Sequence, residues 1–107
     1  MGLSLFKDET GKNGRQYTYK DGRIDLLCVD AATRDFVVIE LKKGEAPHET
    51  LLQILRYMSW VRQHLAKDKD VRGIILSEAA DTSLIEVVKE VPSVEIRYYR
   101  LSLDLLD

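Results

Sequence analysis

Residues 22–43 read GRIDLLCVDAATRDFVVIELKK, and this stretch decides the predicted fold. It contains two apolar segments of strand length, residues 23–29 and 36–42, which are joined by a polar loop. This pattern predicts a β-hairpin. Because both alternating faces of the two strands are apolar along most of their length, we expect helices to cover the sheet on both sides.

The composition is that of one small globular domain. The chain has 107 residues, of which 45% are hydrophobic, and its formal net charge is −2. Such a charge creates no global basic field, so any phosphate-binding surface has to be local. The single cysteine, Cys28, is predicted to be a core residue, and the absence of a disulfide fits a reducing cytoplasm. No apolar run approaches the roughly 18 to 20 residues that span a bilayer, so no membrane partner is expected.

Two further elements flank the hairpin. Residues 15–19, rich in aromatic and β-branched side chains, predict a strand that follows a polar lead over residues 1–14. After the hairpin, Pro47 is expected in the first turn of a helix that runs to about Ala66. The core stripe of this helix has helical spacing and comprises Leu51, Ile54, Leu55, Met58, Val61 and Leu65.

The second half of the chain predicts a strand, a helix and a strand. Residues 72–77 form a buried strand, Asp81 caps the helix, Val91-Pro92 ends it, and residues 94–101 form the last strand. The complete order is β-β-β-α-β-α-β. It predicts an α/β or α+β fold, with a mixed sheet flanked by helices.

The register of the hairpin brings two carboxylates together. If the loop is residues 31–34, Asp30 pairs with Asp35, and counting back along both strands puts Asp25 directly opposite Glu40. Like charges in this position repel each other. Such a pair is kept when one acid is protonated, when both are solvated at the sheet end, or when a cation lies between them. The last option is the functional one, because carboxylates with water and a substrate phosphate are the usual ligands of Mg²⁺.

Lys42 follows Glu40 by two residues and therefore returns to the same face of the strand. An ammonium group there can hold a nucleophilic water and oppose the charge that develops on a phosphate. A Glu-x-Lys spacing alone is common by chance. The aspartate opposite the glutamate and the helix that follows directly favour a catalytic interpretation.

A polar and aromatic strip runs beside the core stripe of the first helix. Gln53, Tyr57, Trp60 and His64 recur at i, i+4, i+7 and i+11. Gln53 is a candidate to bind the attacking water or a carboxylate, and Tyr57 is a candidate to contact a phosphate or sugar. Packing at the edge of the core is the alternative for Tyr57 and the favoured interpretation for Trp60. We interpret His64 as a surface residue.

Three segments, GRIDLLCVD, FVVIELKKGEA and LLQILRYMSWVRQHLA, together resemble a known family. They are similar to the PD-(D/E)xK nuclease superfamily, and most closely to the C-terminal catalytic domain of the NucS/EndoMS endonucleases. The resemblance covers about Gly22 to Leu65 and continues into VRGIILSEAAD. It implies a restriction-endonuclease-like fold and a DNA-repair endonuclease that hydrolyses phosphodiester bonds of DNA with Mg²⁺ or Mn²⁺.

The resemblance also implies individual roles. Asp25 and Glu40 correspond to the metal-binding carboxylates, and the main-chain carbonyl of Leu41 corresponds to a further metal ligand. Lys42 corresponds to the catalytic lysine. Gln53 and Tyr57 match the helix residues of the family motif, and the resemblance implies a catalytic role for Gln53.

Two further points concern an additional metal-binding glutamate and the residues that contact DNA. Family members usually have a helix before the first strand that supplies another glutamate. Here Glu9 is the nearest candidate and lies in a stretch that does not look helical, which favours one well-formed metal site. The candidates for contact with DNA phosphates are Lys43, Arg56, Arg23 and Lys20, together with Tyr57.

Two other functional interpretations stay open at the level of sequence. One is a module without catalysis that uses the nuclease fold to bind nucleic acid or protein, as the net acidity and small size suggest. The other is an oligomerisation unit, in which VEIRYYRLSLDLL forms an edge strand with an apolar tail. The second is compatible with a nuclease that works as a homodimer.

Overall fold

The computed structural model describes residues 2–20, 22–102 and 105. Within these ranges the chain forms one mixed, six-stranded sheet with the order β1-β3-β4-β5-β6, and β2 pairs with β3 as well. The described elements are β1 (Leu3–Leu5), β2 (Arg15–Tyr19), β3 (Gly22–Asp30), β4 (Phe36–Ala46), α1 (Glu49–His64), β5 (Val71–Ala80), α2 (Thr82–Val88) and β6 (Val94–Tyr98).

The β3–β4 hairpin has the predicted register. Leu27 pairs with Val38 and Val29 pairs with Phe36 in an antiparallel ladder. At the loop, the backbone N–H of Asp30 donates to the carbonyl of Asp35 at 2.9 Å. The same register, continued to the other end of the hairpin, brings Asp25 opposite Glu40.

The second half of the sheet is parallel. β4 pairs with β5 and β5 pairs with β6, so α1 and α2 are crossover helices between neighbouring parallel strands. Gly73 in β5 allows α1 to pack closely, because a Cβ atom at this position would lie 2.7 Å from the sulfur of Met58. The fully buried residues of the predicted core stripe are Ile54, Met58 and Val61.

Both helices lie on the same face of the sheet. Buried residues of α1 and α2, such as Ile54 and Leu84, belong to one large cluster with side chains of the strands. Among the described residues, the second cluster, with Cys28, Val37 and Ile74 buried in it, contains strand residues alone. The expectation of helices on both faces is therefore wrong. Two successive crossovers in the same direction and of the same hand place both helices on one side.

The N-terminal lead contains a strand that the sequence pattern did not predict. β1 pairs antiparallel with the C-terminal half of β3, while β2 pairs with the N-terminal half, so both lie along one edge of β3. Between them, Gly14 accepts from the N–H of Leu27 at 2.8 Å. A Cβ atom at Gly14 would lie 1.8 Å from the carbonyl oxygen of Leu27, so only glycine fits. β1 has 3 residues, too few for a periodic signal, and the predicted order lacks this strand.

Several element ends differ from the prediction by a few residues. α1 begins two residues after Pro47, and β6 ends at Tyr98 rather than at residue 101. The predicted cap of α2 is confirmed, since Asp81 accepts from the N–H of Ser83 at 2.7 Å. Cys28 is buried as predicted. Neither α1 nor α2 is long and apolar enough to cross a membrane, within the ranges that the structure describes.

The C-terminal segment follows an edge strand, as predicted. β6 is the last strand in the sheet order, and beyond it Leu101 and Leu105 are 71% and 83% exposed. Residues 103, 104 and 106 of the predicted apolar tail lie outside the described residues.

Candidate active site

Asp25 and Glu40 form a carboxylate pair at the end of the hairpin away from its loop. Glu40 is 4% exposed, because β4 turns it toward the face that α1 covers. Its Oε2 atom is buried and has no hydrogen-bond partner among the described residues. Asp25 is fixed from the neighbouring strand, since its Oδ2 atom accepts from the N–H of Leu41 at 2.9 Å. A buried carboxylate oxygen without a donor is costly unless a proton or a cation satisfies it.

The electrostatic environment disfavours a charge on Glu40. Burial raises its pKa to about 8, and Asp25 contributes to the rise through hydrogen bonding and through its charge. The positive charges of Lys42 and Arg23 act in the opposite direction on this pKa. The metal-free site therefore retains a proton that a bound cation would replace.

A chain of hydrogen bonds connects Lys42 to α1. The Nζ atom of Lys42 donates to Gln53 Oε1 at 3.0 Å, and Gln53 Nε2 donates to the hydroxyl of Tyr57 at 3.1 Å. Residues 53 and 57 are one helical turn apart, so both face the same end of the sheet. Tyr57 also packs close to Gly22, where a Cβ atom would lie 3.0 Å from its Cε1 atom. The structure thus brings together the catalytic residues predicted on β4 and α1.

A β-bulge follows Lys42. The pairing of β4 with β5 shifts its register between Lys42 and Glu45, and Gly44 in between has a φ of 74°. Bulges bend a strand and re-aim its side chains, and they are frequent beside active sites. The hydroxyl of Tyr99 donates to the carbonyl oxygen of Lys42 at 3.2 Å, and Glu78 accepts from the N–H of Gly44 at 2.9 Å. These contacts fix the backbone that carries Lys42.

The predicted phosphate contacts divide into two groups. Arg56 lines a cleft of about 330 Å³ together with Lys42 and Gln53. Arg23 is exposed and near enough to Glu40 for its charge to lower that pKa. Lys20 and Lys43 are exposed, and no hydrogen bond or ion pair involves their side chains within residues 2–20, 22–102 and 105.

Some residues of the polar and aromatic strip of α1 pack against the core. Trp60 packs against the main core, and its ring stacks on Tyr19 at 4.3 Å and on His64 at 4.7 Å between centroids. The edge-of-core interpretation of Trp60 and the surface position of His64 are confirmed. Tyr57 packs against the core, and its hydroxyl accepts from Gln53, while its contact with a phosphate or sugar stays a prediction.

Sequence reasoning missed three residues around the site. Thr50 lines the cleft of Lys42, Ser77 pairs with Lys42 across β4 and β5, and Tyr99 bonds to its carbonyl. A signal existed for Thr50 alone, because it lies one turn before Gln53 on the same strip. Ser77 lies in β5 and Tyr99 directly follows β6, and no local spacing relates them to Lys42.

The ligand chemistry fits a hard divalent cation with few protein ligands. The described part of the chain contains no group of three or more His, Cys, Asp and Glu side chains suited to a metal. The pair Asp25 and Glu40 remains, with one buried carboxylate oxygen available. Mg²⁺ is commonly bound by one or two carboxylates, with water and substrate phosphates completing its coordination.

With this geometry established, comparison with known proteins identifies the family. The family model described as Endonuclease NucS C-terminal domain matches residues 5–102. The chain belongs to this family. The NucS C-terminal domain match includes Asp25, Glu40, Lys42 and the whole of α1.

Individual relatives agree with the family. The chain is 32% identical over 76 residues to Endonuclease NucS of Methanocaldococcus jannaschii, which covers 71% of this chain and 28% of the relative. A repair endonuclease from Pyrococcus abyssi has the same fold, with a TM-score of 0.74 and 21% identity over 92% of this chain and 39% of that one. A structure described as an EndoMS-dsDNA2 complex has a TM-score of 0.72 and 18% identity over 96% of this chain and 38% of that one.

These relatives are much longer than the match. The chain spans 28% of the NucS sequence from M. jannaschii and under two fifths of the two solved structures.

Proposed function

We propose that this domain is the catalytic unit of a DNA endonuclease that hydrolyses phosphodiester bonds with Mg²⁺ or Mn²⁺. The observation that carries the proposal is the buried Oε2 atom of Glu40, which has no partner and lies beside Asp25 and Lys42. Support comes from the relatives, which include a protein named as an endonuclease and a structure described as a complex with double-stranded DNA.

Asp25 and Glu40 would hold the cation through their carboxylates, and the carbonyl of Leu41 is the third protein ligand that we propose. The bound cation would supply Lewis-acid stabilisation of the phosphate and lower the pKa of a water molecule. Asp25 is already held in place by the N–H of Leu41, so the carboxylate needs little rearrangement. Preorganisation of this kind reduces the entropy lost when substrate binds.

Lys42 would stabilise the negative charge that develops on the phosphate and orient the attacking water. Its ammonium group has three donors, of which one is used by Gln53. Gln53 therefore holds Lys42 in one rotamer while Tyr57 holds Gln53. We assign Gln53 and Tyr57 to positioning of Lys42, with Tyr57 also facing the DNA.

The test is a cleavage assay on labelled single-stranded, duplex, mismatched and branched DNA with Mg²⁺, Mn²⁺ or EDTA. We expect cutting that requires metal and that falls by about 10²-fold or more in Lys42→Ala. Lys89→Ala is the matched control, because Lys89 is exposed, lies outside the cleft of Lys42 and is not one of the predicted phosphate contacts. Undiminished cutting by Lys42→Ala would contradict the proposed site, and strong DNA binding without any turnover would favour the module without catalysis.

A homodimer and a cytoplasmic location remain predictions. β6 lies at the end of the sheet order, so its outer edge can pair with another strand. Analytical ultracentrifugation of the chain that showed monomer alone at all concentrations would contradict the dimer.

A further inference from the structure

Two clefts lie along α1, and they share one residue. The first cleft, of about 330 Å³, contains Lys42, Thr50 and Gln53 of the candidate active site. The second, of about 270 Å³, is lined by Tyr19, Ser59, Trp60 and Gln63. Arg56 lines both clefts and therefore lies between the candidate active site and the aromatic residues of α1.

The charge along α1 is locally positive although the chain is acidic overall. α1 contains two arginines, Arg56 and Arg62, and its one acidic residue is Glu49. Glu49 contacts the ring nitrogen Nε2 of His48 at 3.2 Å. Arg56 is exposed and has no ion-pair partner among the described residues, unlike Arg72, which contacts Asp30. A guanidinium group with unused donors is well suited to a phosphate.

We propose that the substrate strand lies along α1 and that Arg56 binds one of its uncut phosphates. The inference rests on the proposed function, because Lys42 places the scissile phosphate at one end of this surface. Thr50 and Gln63 are separated by about 20 Å along the helix axis, at 1.5 Å per residue. This distance accommodates a few nucleotides, since a DNA strand advances about 3.4 Å per nucleotide along its axis.

The second cleft suits the backbone of the strand better than its bases. The Trp60 ring already stacks on two other rings, that of Tyr19 at 4.3 Å and that of His64 at 4.7 Å between centroids. A base that stacked on Trp60 would therefore have to compete with these two rings. Binding through phosphates and sugars carries no sequence information, so this surface would position the substrate without selecting a sequence.

Binding is measured first, independently of cleavage, in a Glu40→Gln background. Trp60 is the one tryptophan of the chain, so its fluorescence reports directly on the second cleft. Titration with single-stranded and duplex oligonucleotides should change this emission. We expect Arg56→Ala to weaken binding about tenfold and to reduce the slope of log affinity against log salt by about 1. Arg62→Ala, an exposed arginine of α1 outside both clefts, should stay within about twofold of the parent.

The position of the bound phosphate is then mapped with oligonucleotides that carry one neutral methylphosphonate linkage. The parent enzyme should lose cleavage at the scissile linkage and at one further position, and Arg56→Ala should become insensitive to that further position alone. Equal affinities and equal interference patterns for Arg56→Ala and Arg62→Ala would overturn the inference. If the parent never cuts but the Trp60 signal still depends on Arg56, the proposed cleavage fails while the binding surface stands.

Discussion

The β3–β4 hairpin carries an acidic pair at each end, and the two pairs have opposite environments. At the loop end, Asp30 contacts Arg72 at 2.6 Å, and Asp35 lies 3.9 Å from the same guanidinium group. Arg72 holds the pKa of Asp30 down to about 2, with help from the backbone N–H groups of Ala32 and Thr33. At the other end, burial and Asp25 raise the pKa of Glu40 to about 8.

The difference separates a carboxylate pair that is satisfied within the fold from the pair that we propose to bind metal. Asp30 and Asp35 stand in the same hairpin register as Asp25 and Glu40, so register alone does not distinguish the two pairs. Arg72 satisfies the first pair within the fold. The second pair keeps a buried oxygen of Glu40 without a donor, although Lys42 is nearby and bonds to Gln53 instead. A proton or a cation between the carboxylates resolves this second environment, and the cation is the option that we propose for the working site.

The largest expected effect is a loss of DNA cleavage. We expect it for a substitution at the Asp25–Glu40 end of the hairpin but not for one at the loop end. Glu40→Gln preserves the shape of the side chain but removes a charged metal ligand, so we expect cleavage to fall by about 10³-fold or more. Asp35→Asn makes the same chemical change at the other end. It should leave the rate within about threefold, measured with the same labelled DNA at saturating Mg²⁺.

One result would contradict this comparison between the two ends of the hairpin. If Asp35→Asn reduced cleavage as strongly as Glu40→Gln, both variants would act through the hairpin as a whole. Circular dichroism and thermal unfolding of each variant establish whether the fold is intact before the rates are compared.

A smaller effect is expected on stability without metal. The pKa of Glu40 is about 8 in the folded protein and 4.5 in the unfolded chain, so the folded state binds more protons between these values. Its free energy of unfolding should therefore fall as pH rises from about 4.5 to about 8. Glu40→Gln removes this titration and can donate its amide to Asp25. We expect the variant to be more stable than the parent at pH 8 by about 1 to 3 kcal/mol, in urea unfolding with EDTA.

The sign of this stability difference between Glu40→Gln and the parent tests the raised pKa of Glu40. The difference should vanish at pH values well below 4.5, where Glu40 is protonated in both states, and shrink when Mg²⁺ binds the parent alone. A variant that was less stable than the parent at pH 8 would contradict the raised pKa of Glu40.

The sequence was sufficient where local pairing fixes position. The polar loop determines the register of the hairpin, and the register alone places Asp25 opposite Glu40. The apolar stripe of α1 predicted its buried side, so Gln53 and Tyr57 were assigned to the strip beside it. A very short strand and a contact between residues far apart in sequence were not predictable. β1 has 3 residues, and Tyr99, which directly follows β6, bonds to the carbonyl of Lys42. The pKa of Glu40 depends on burial by α1, which no spacing along β4 reveals.

The smallest expected effect concerns the loop end. Arg72→Met keeps the aliphatic stem but leaves Asp30 and Asp35 without a counter-charge. Because the Arg72 side chain is 39% exposed, solvent and salt weaken its ion pairs, and we expect the melting temperature to fall by only about 2 to 5 °C at pH 6. A carboxylate with a lowered pKa stabilises the fold above its unfolded pKa of 3.8, and this contribution is lost as pH falls toward about 2. The difference between Arg72→Met and the parent should therefore disappear at pH 2, while cleavage at neutral pH stays unchanged. A loss of cleavage in Arg72→Met comparable to that in Glu40→Gln would mean that the two ends of the hairpin are coupled.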